Sequence, residues 1–302
     1  MMPDSKKYLH PEAVARVARL DLRARYVVEG FFSGLHRSRY FGRSIEFLQH
    51  RQYVPGDDPR HVDWKVWARK DRLYVKQYEE DTNLRCTLLV DASRSMHYGS
   101  GPLNKFDYAC SLAASVAYLS LHQHDSVACT VFDEEVRASL PHRSRFAQLH
   151  EIIKAFDVAE PAGKTDMHRI LRETAETLPR RGLVVLFSDL LAEREGFFRG
   201  IRLLRQRGHD VLVFQILDDD ELDFPFTGPV RFDAAESTNH LTCNPRLLKE
   251  GYLEALQTFL EEVCRGCAQN RADYQLIRTS DPLDMALTTM LASRARRGRA
   301  TA

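Results

Sequence analysis

From residue 85 onward the chain alternates short apolar runs with amphipathic stretches, and this alternation restricts the fold more than any other feature. Gly182-Leu-Val-Val-Leu-Phe187 is the clearest run. It is too short for a typical helix and matches a strand covered on both faces. Arg85–Val90, Ser126–Phe132, Asp210–Leu217 and Tyr274–Ile277 read the same way. Between them, apolar residues take helical spacing over Lys105–Gln123, Arg145–Phe156, Met167–Leu178, Gly196–Gln206, Pro245–Gln269 and Pro282–Ala292. Strands alternating with helices predict a doubly wound α/β domain, with a mostly parallel sheet, right-handed crossovers and helices on both faces. Such sheets bind ligands outside the carboxyl ends of their strands, where strand order reverses.

The first 84 residues differ, being polar, aromatic and Arg-rich. Pro11–Tyr26 has helical periodicity, and Leu73–Glu79 alternates and predicts a strand. Gly34–Arg69 shows little regular pattern. The expected organisation is an N-terminal accessory segment, residues 1–84, that packs on an α/β domain over 85–302 and adds strands. At 302 residues the chain can bury a core without a disulfide or metal staple. Lys and Arg total 43 against 42 Asp and Glu, so no global field draws the protein to nucleic acid or anionic lipid. The opening MMPDSKKYLHPEAVARV lacks the apolar core of a secretory signal, and no run of about 18 apolar residues could span a bilayer. A cytoplasmic location is expected. Cys86, Cys110 and Cys129 fall in apolar runs, where a thiol serves as a small hydrophobe rather than part of a disulfide framework.

The residues that carry chemistry follow the first strand of the α/β domain. Asp91-Ala-Ser93-Arg-Ser95 places a carboxylate and two hydroxyls on the turn leaving a buried strand. Thr165 lies in Gly163-Lys-Thr-Asp166 before a helix, and Asp189 in Phe187-Ser-Asp-Leu190 after the clearest strand. All five are expected at one rim of the sheet. Hard oxygen donors of this kind suit Mg²⁺, with Mn²⁺ as the alternative. The two aspartates offset one divalent cation, and the neutral hydroxyls of Ser93, Ser95 and Thr165 leave room for a carboxylate from another molecule. No general base stands beside them in the sequence, so the pattern reads as binding rather than hydrolysis. The structural alternative is that Ser93 and Ser95 cap a helix and Asp189 occupies a turn.

This spacing resembles the metal-ion-dependent adhesion site of von Willebrand factor A domains. The resemblance implies direct ligation by the serines and the threonine, with the aspartates often acting through water. A second resemblance covers nearly the whole chain. Gly34-Leu-His-Arg-Ser38, Gly42-Arg-Ser-Ile-Glu-Phe47, Arg51-Gln-Tyr-Val-Pro-Gly-Asp-Asp-Pro-Arg60, Val62-Asp-Trp64 and Ala68-Arg69 resemble the block that precedes a von Willebrand A-like domain in the domain of unknown function 58 family. Many members of that family begin with transmembrane helices, and this chain resembles the short soluble form. The resemblance further implies an adaptor or co-chaperone role beside a MoxR-type AAA+ ATPase. Read physically, Arg37, Arg39, Arg43, Arg51, Arg60 and Arg69 with Asp57, Asp58 and Asp63 suit an internal ion-pair network more than a partner-binding surface.

Other signals are set aside. Gly163-Lys-Thr165 lacks the earlier glycine of a phosphate-binding loop, since Val158 stands there. Asp91 as a phosphoryl-accepting nucleophile needs an acid two residues on, where Ser93 stands. Cys264 and Cys267 have metal-like spacing near the end of a helix, with only Cys243 and His240 as further zinc ligands, and read as an unligated pair. Asp218-Asp-Asp-Glu221 reads as a solvated acidic loop, with a second cation site as the lesser alternative, and Arg294–Arg299 as a frayed basic end, with weak nucleic-acid contact a distant second. The leading expectation is a non-enzymatic, Mg²⁺-dependent protein-binding module. Its competitor is a phosphatase-like, metal-dependent hydrolase using Asp91 and Asp189.

Overall fold

A computed structural model describes residues 45–54, 64, 66–67, 73–80, 84–159, 163, 165–179, 181–228, 230–233, 240–283 and 285–287. The first two strands, β1 (Ile45–Gln52) and β2 (Tyr74–Glu80), pair antiparallel as a sheet of their own. Accessory strands were expected, but these do not extend the main sheet. β1 also falls inside the stretch that shows little pattern. Its register with β2 shifts between Phe47 and Gln49. The expected helix at Pro11–Tyr26 and most of the Arg/Asp-rich block lie outside the described residues.

The α/β unit follows in the expected order. β3 (Arg85–Asp91) is followed by a 3-10 turn at Arg94–His97 and α1 (Lys105–His122). Next come β4 (Ser126–Phe132), β5 (Val136–Arg143), α2 (Ala147–Val158), α3 (Met167–Thr177) and β6 (Leu183–Ser188). α4 (Arg194–Gln206), β7 (Asp210–Leu217) and the one-turn α5 (Asp219–Asp223) lead to a hairpin, β8 (Val230–Asp233) and β9 (His240–Cys243). The long α6 (Pro245–Gln269) and β10 (Asp273–Arg278) follow. The six-stranded sheet has the order β10-β7-β6-β3-β4-β5. All neighbours are parallel except β5, which runs antiparallel to β4 at the edge.

Strand alternation divides the core into two layers. Leu88, Val90, Val185, Phe187, Leu212 and Phe214 pack on one face with α1 and α2. Leu89, Val184, Leu186, Val211 and Val213 pack on the other with α3, α4 and α6. Helices on both faces explain why the central strands are mostly apolar. α1 is buried nearly all round, and its Ala109, Ala113, Ala114 and Ala117 let it lie close to the sheet. Small residues also set helix spacing on the second face. A Cβ at Gly200 would stand 2.5 Å from Leu171 Cβ, and one at Gly266 2.2 Å from the Phe198 ring. Among the described residues, no helix is long and apolar enough to cross a membrane.

Candidate functional site

Strand order fixes where the site lies. β3 continues through α1 to β4 on one side, whereas β6 continues through α4 to β7 on the other. β3 and β6 are neighbours, so the crevice of a doubly wound sheet opens between their carboxyl ends. Asp91 is the last residue of β3, and Asp189 is the first residue past β6.

Asp91 is buried and collects three neutral donors. Its Oδ1 accepts from the Ser93 amide at 2.9 Å and the Thr165 hydroxyl at 3.1 Å. Its Oδ2 accepts from the Ser188 hydroxyl at 2.6 Å. The Ser93 and Ser95 hydroxyls lie 3.1 Å apart. A backbone bond from the Arg94 amide to the Gly163 carbonyl, 3.1 Å, ties the Thr165 loop to the same turn. Asp91, Ser93, Ser95 and Thr165 therefore form one cluster of oxygens. Ser93 makes no side-chain cap on the 3-10 turn, which leaves its hydroxyl to this cluster.

Asp189 adjoins the cluster but is engaged elsewhere. Its Oδ2 accepts from the Lys105 ammonium at 2.8 Å and its Oδ1 from the Leu191 amide at 3.1 Å. Lys105 has no exposed surface and also donates to Glu221 Oε1 at 2.7 Å. Leu190, in the left-handed region at φ 58°, turns the chain here, and its amide donates to Ser188 Oγ at 3.0 Å. Behind this turn, buried Gln215 donates to the Asp189 carbonyl at 2.9 Å and accepts from the Tyr274 hydroxyl at 2.7 Å.

The electrostatics follow from burial and crowding. Burial pushes the Asp91 carboxyl up to about 6, and nearby Asp189 adds to the push. Hydrogen bonds from Ser188 and Ser93 pull the other way. Burial alone would lower Lys105, but Asp189 and Glu221 outweigh it and hold the ammonium above its ordinary value. When ionised, Asp91, Asp189 and Glu221 set three negative charges against the single positive charge of Lys105. The imbalance equals the charge of one divalent cation. Among the described residues, no group of three or more His, Cys, Asp and Glu is placed to hold a metal, so a cation at this rim would rely on the hydroxyls. Oxygen donors alone suit Mg²⁺ or Mn²⁺.

Ser188, Lys105 and Glu221 are the members that sequence reading missed. Ser188 stands within Phe187-Ser-Asp-Leu190, beside the residue singled out there. Lys105 had a signal as well. It occupies the first position of a helix, where a cation opposes the helix dipole and needs a separate reason to be there.

The acidic run Asp218–Glu221 is not a solvated loop. Asp218 is fully buried and caps α5 in a capping box with Glu221. It accepts from the Ser100 amide and hydroxyl at 3.0 and 2.5 Å, and from Thr279 at 2.7 Å. Arg278 binds Asp219 and Asp223, and the Tyr98 hydroxyl donates to Asp220 at 3.2 Å. These contacts hold Asp218 below the usual carboxylate range despite its burial, with the Ser100 bonds foremost. The run therefore clamps the loop past Ser95 to the end of β10. In α6, Cys264 is exposed and Cys267 buried, and burial pushes the Cys267 thiol up to about 12, as suits an inert core residue.

Uncharacterized proteins of Mycobacterium bovis and Mycobacterium tuberculosis are each 27% identical to this chain over 265 residues, covering 85% of it and 83% of their own length. Among solved structures, the conserved hypothetical protein BatB from Bacteroides thetaiotaomicron is similar at a TM-score of 0.46 and 12% identity, covering 71% of this chain and 100% of that one. The SpRpn10 VWA domain is similar at a TM-score of 0.40 and 9% identity, covering 69% of this chain and 95% of its own. The sequence model of the protein of unknown function DUF58 matches residues 49–258, well over half of the chain, and the chain belongs to that family.

Proposed function

We propose that this chain is a non-enzymatic protein-binding module that works through a divalent cation, Mg²⁺ or Mn²⁺. The observation that carries this reading is the Asp91 carboxylate, buried beside Asp189 and met only by neutral donors, with the Ser93, Ser95 and Thr165 hydroxyls gathered on one side of it. Those hydroxyls and Asp91 would hold the ion. Asp189, with both oxygens engaged, would act from the outer shell. Bound there, the ion would supply a Lewis-acidic position for a carboxylate from the partner. The chain's own contribution is to orient the donors: Ser188 fixes Asp91, and the bond from Arg94 to Gly163 fixes the Thr165 loop. On the resemblance to the DUF58 family, the partner would be a MoxR-type AAA+ ATPase or one of its clients.

The test is calorimetric titration of the metal-stripped chain with MgCl₂, followed by capture of a purified MoxR-type ATPase with and without EDTA. Binding of Mg²⁺ that disappears in Asp91→Asn and Ser93→Ala, together with EDTA-sensitive capture, is the expected result. Capture unchanged in EDTA and in Asp91→Asn would refute the metal bridge. Turnover of a phosphate ester that Asp91→Ala abolishes would replace the reading with the hydrolase.

A further inference from the structure

Lys105 places a permanent positive charge inside the site just described. Its ammonium has no exposed surface and bonds two carboxylates, Asp189 at 2.8 Å and Glu221 at 2.7 Å. Both acceptors are pinned from behind. Asp189 Oδ1 is held by the Leu191 amide, and Glu221 Oε2 accepts from the Asp218 amide at 2.8 Å. The Tyr252 hydroxyl, 2.8 Å from the Glu221 carbonyl, fixes the backbone of α5 against α6. The backbone that carries it is fixed too, because Lys105 opens α1 with its amide bonded to the Tyr98 carbonyl at 2.9 Å.

We infer that Lys105 is a resident cation that holds down the affinity of the Asp91 site for a divalent metal. The inference rests on the metal reading above. A fixed positive charge that shares Asp189 repels an ion at Asp91, and in a buried setting that repulsion is poorly screened. The ion binds weakly until another negative charge arrives, and the partner's carboxylate supplies it. By linkage, whatever the carboxylate adds to metal affinity the metal adds to carboxylate affinity. The site thus binds metal and acidic partner together rather than storing metal alone. Glu221 serves as the counterweight that keeps Lys105 from neutralising Asp189 completely.

The experiment is titration of the metal-stripped full chain with MgCl₂, comparing wild type with Lys105→Met, Glu221→Gln and Asp91→Asn, alongside melting without metal. Lys105→Met is expected to tighten Mg²⁺ binding by about tenfold or more, while lowering the metal-free melting temperature. Glu221→Gln is expected to loosen binding severalfold, since Lys105 then rests on Asp189 alone. A scaffolding role for Lys105 would instead weaken binding in both variants. Binding that is unchanged or weaker in Lys105→Met, yet lost in Asp91→Asn, overturns the inference and leaves the metal reading standing. Absence of Mg²⁺ binding in wild type and every variant overturns both. Where Lys105→Met does not fold, Lys105→Gln, which removes the charge and keeps a donor for Asp189 and Glu221, decides: tighter binding supports the inference, and unchanged or weaker binding overturns it.

Discussion

His209 offers a prediction that the geometry makes quantitative. It lies in the turn before β7, is 1% exposed, and has both ring nitrogens buried without a hydrogen-bond partner among the described residues. A neutral imidazole carries one donor and one acceptor. Leaving a buried polar group unpaired costs about 1–3 kcal/mol. Burial holds the ring below the ordinary histidine range, and Arg207 adds to that, with Asp210 opposing weakly. The ring is therefore neutral in the fold, whereas in the unfolded chain it protonates below about pH 6.5. In that window the unfolded chain binds more protons, so stability falls as pH drops, by up to about 1.4 kcal/mol per pH unit. Above about pH 6.5 the full contribution is present. His209→Phe keeps a ring and removes both nitrogens. It is expected to be more stable at pH 7.5 by about 1–2 kcal/mol, raising the melting temperature by roughly 2–6 °C. The gap should widen as pH falls to 5.5. His142 is also held below its ordinary value, by burial, then Arg85 and then His209 itself, so some pH dependence remains in the variant and the difference between the two curves reads His209 together with its effect on His142. Melting curves at half-unit steps from pH 5 to 8 make the comparison. A variant no more stable at pH 7.5, whose curve then runs parallel to wild type down to pH 5.5, refutes the reasoning.

Other substitutions test the supports of the site and the packing behind it. Gly266→Ala should lower stability by about 1–3 kcal/mol, because its Cβ would meet the Phe198 ring at 2.2 Å. Phe198→Ala in the same chain should remove most of that extra cost, and equal losses in both backgrounds would argue against the contact. Asp218→Asn should cost about 2–3 kcal/mol by presenting an NH₂ group to two of four donors, measured by denaturant unfolding at pH 7. Its penalty should begin to shrink as pH falls below about 4, where the carboxyl of the unfolded chain protonates, and vanish only at lower pH, where the native carboxyl is protonated as well. Gln215→Leu should strip support from the Asp189 carbonyl and leave the Tyr274 hydroxyl unpaired, with a loss of about 1–3 kcal/mol. Recovery of that loss in Gln215→Leu with Tyr274→Phe would identify the orphaned hydroxyl as its source.

What the sequence reveals and what it hides follow one physical division. The parallel strands are legible because burial on both faces leaves them mostly apolar, as Leu183–Phe187 shows. Ser126–Phe132, Asp210–Leu217 and Pro245–Gln269 fall where periodicity places them. β5 is not legible, because an edge strand reading Val-Arg-Ala-Ser-Leu-Pro-His-Arg needs no apolar run, and its Pro141 suits an edge. Asp91, Ser93, Ser95, Thr165 and Asp189 are legible as a set because each follows an identifiable element. The electrostatic partners are not, because they come from far along the chain. Lys105 reaches across 84 residues to Asp189 and 116 to Glu221. Asp218 draws on Ser100 and Thr279, separated from it by 118 and 61 residues. Four adjacent acids look solvated in one dimension, since nothing local marks the donors that the fold brings to them.

Those distant partners also explain why Asp91 stands apart. Buried Asp133, at the end of β4, is met by the Arg137 guanidinium at 2.6 Å. Asp189 has Lys105, and Asp219 and Asp223 share Arg278. Asp218 has neutral donors only, but four of them, and sits below the usual carboxylate range. Asp91 also has neutral donors only, but burial and a second carboxylate nearby outweigh them and push it well above that range. The fold therefore gives buried Asp133 and Asp189 a cation and buried Asp218 a set of donors that outweighs its burial, whereas among the described residues Asp91 has no cation bonded to it. A sequence selected for stability alone would put Asn or an apolar residue at position 91. An under-compensated carboxylate at the reversal point of a doubly wound sheet is what a cation-binding rim requires, because charge compensated within the chain leaves an arriving ion little to gain.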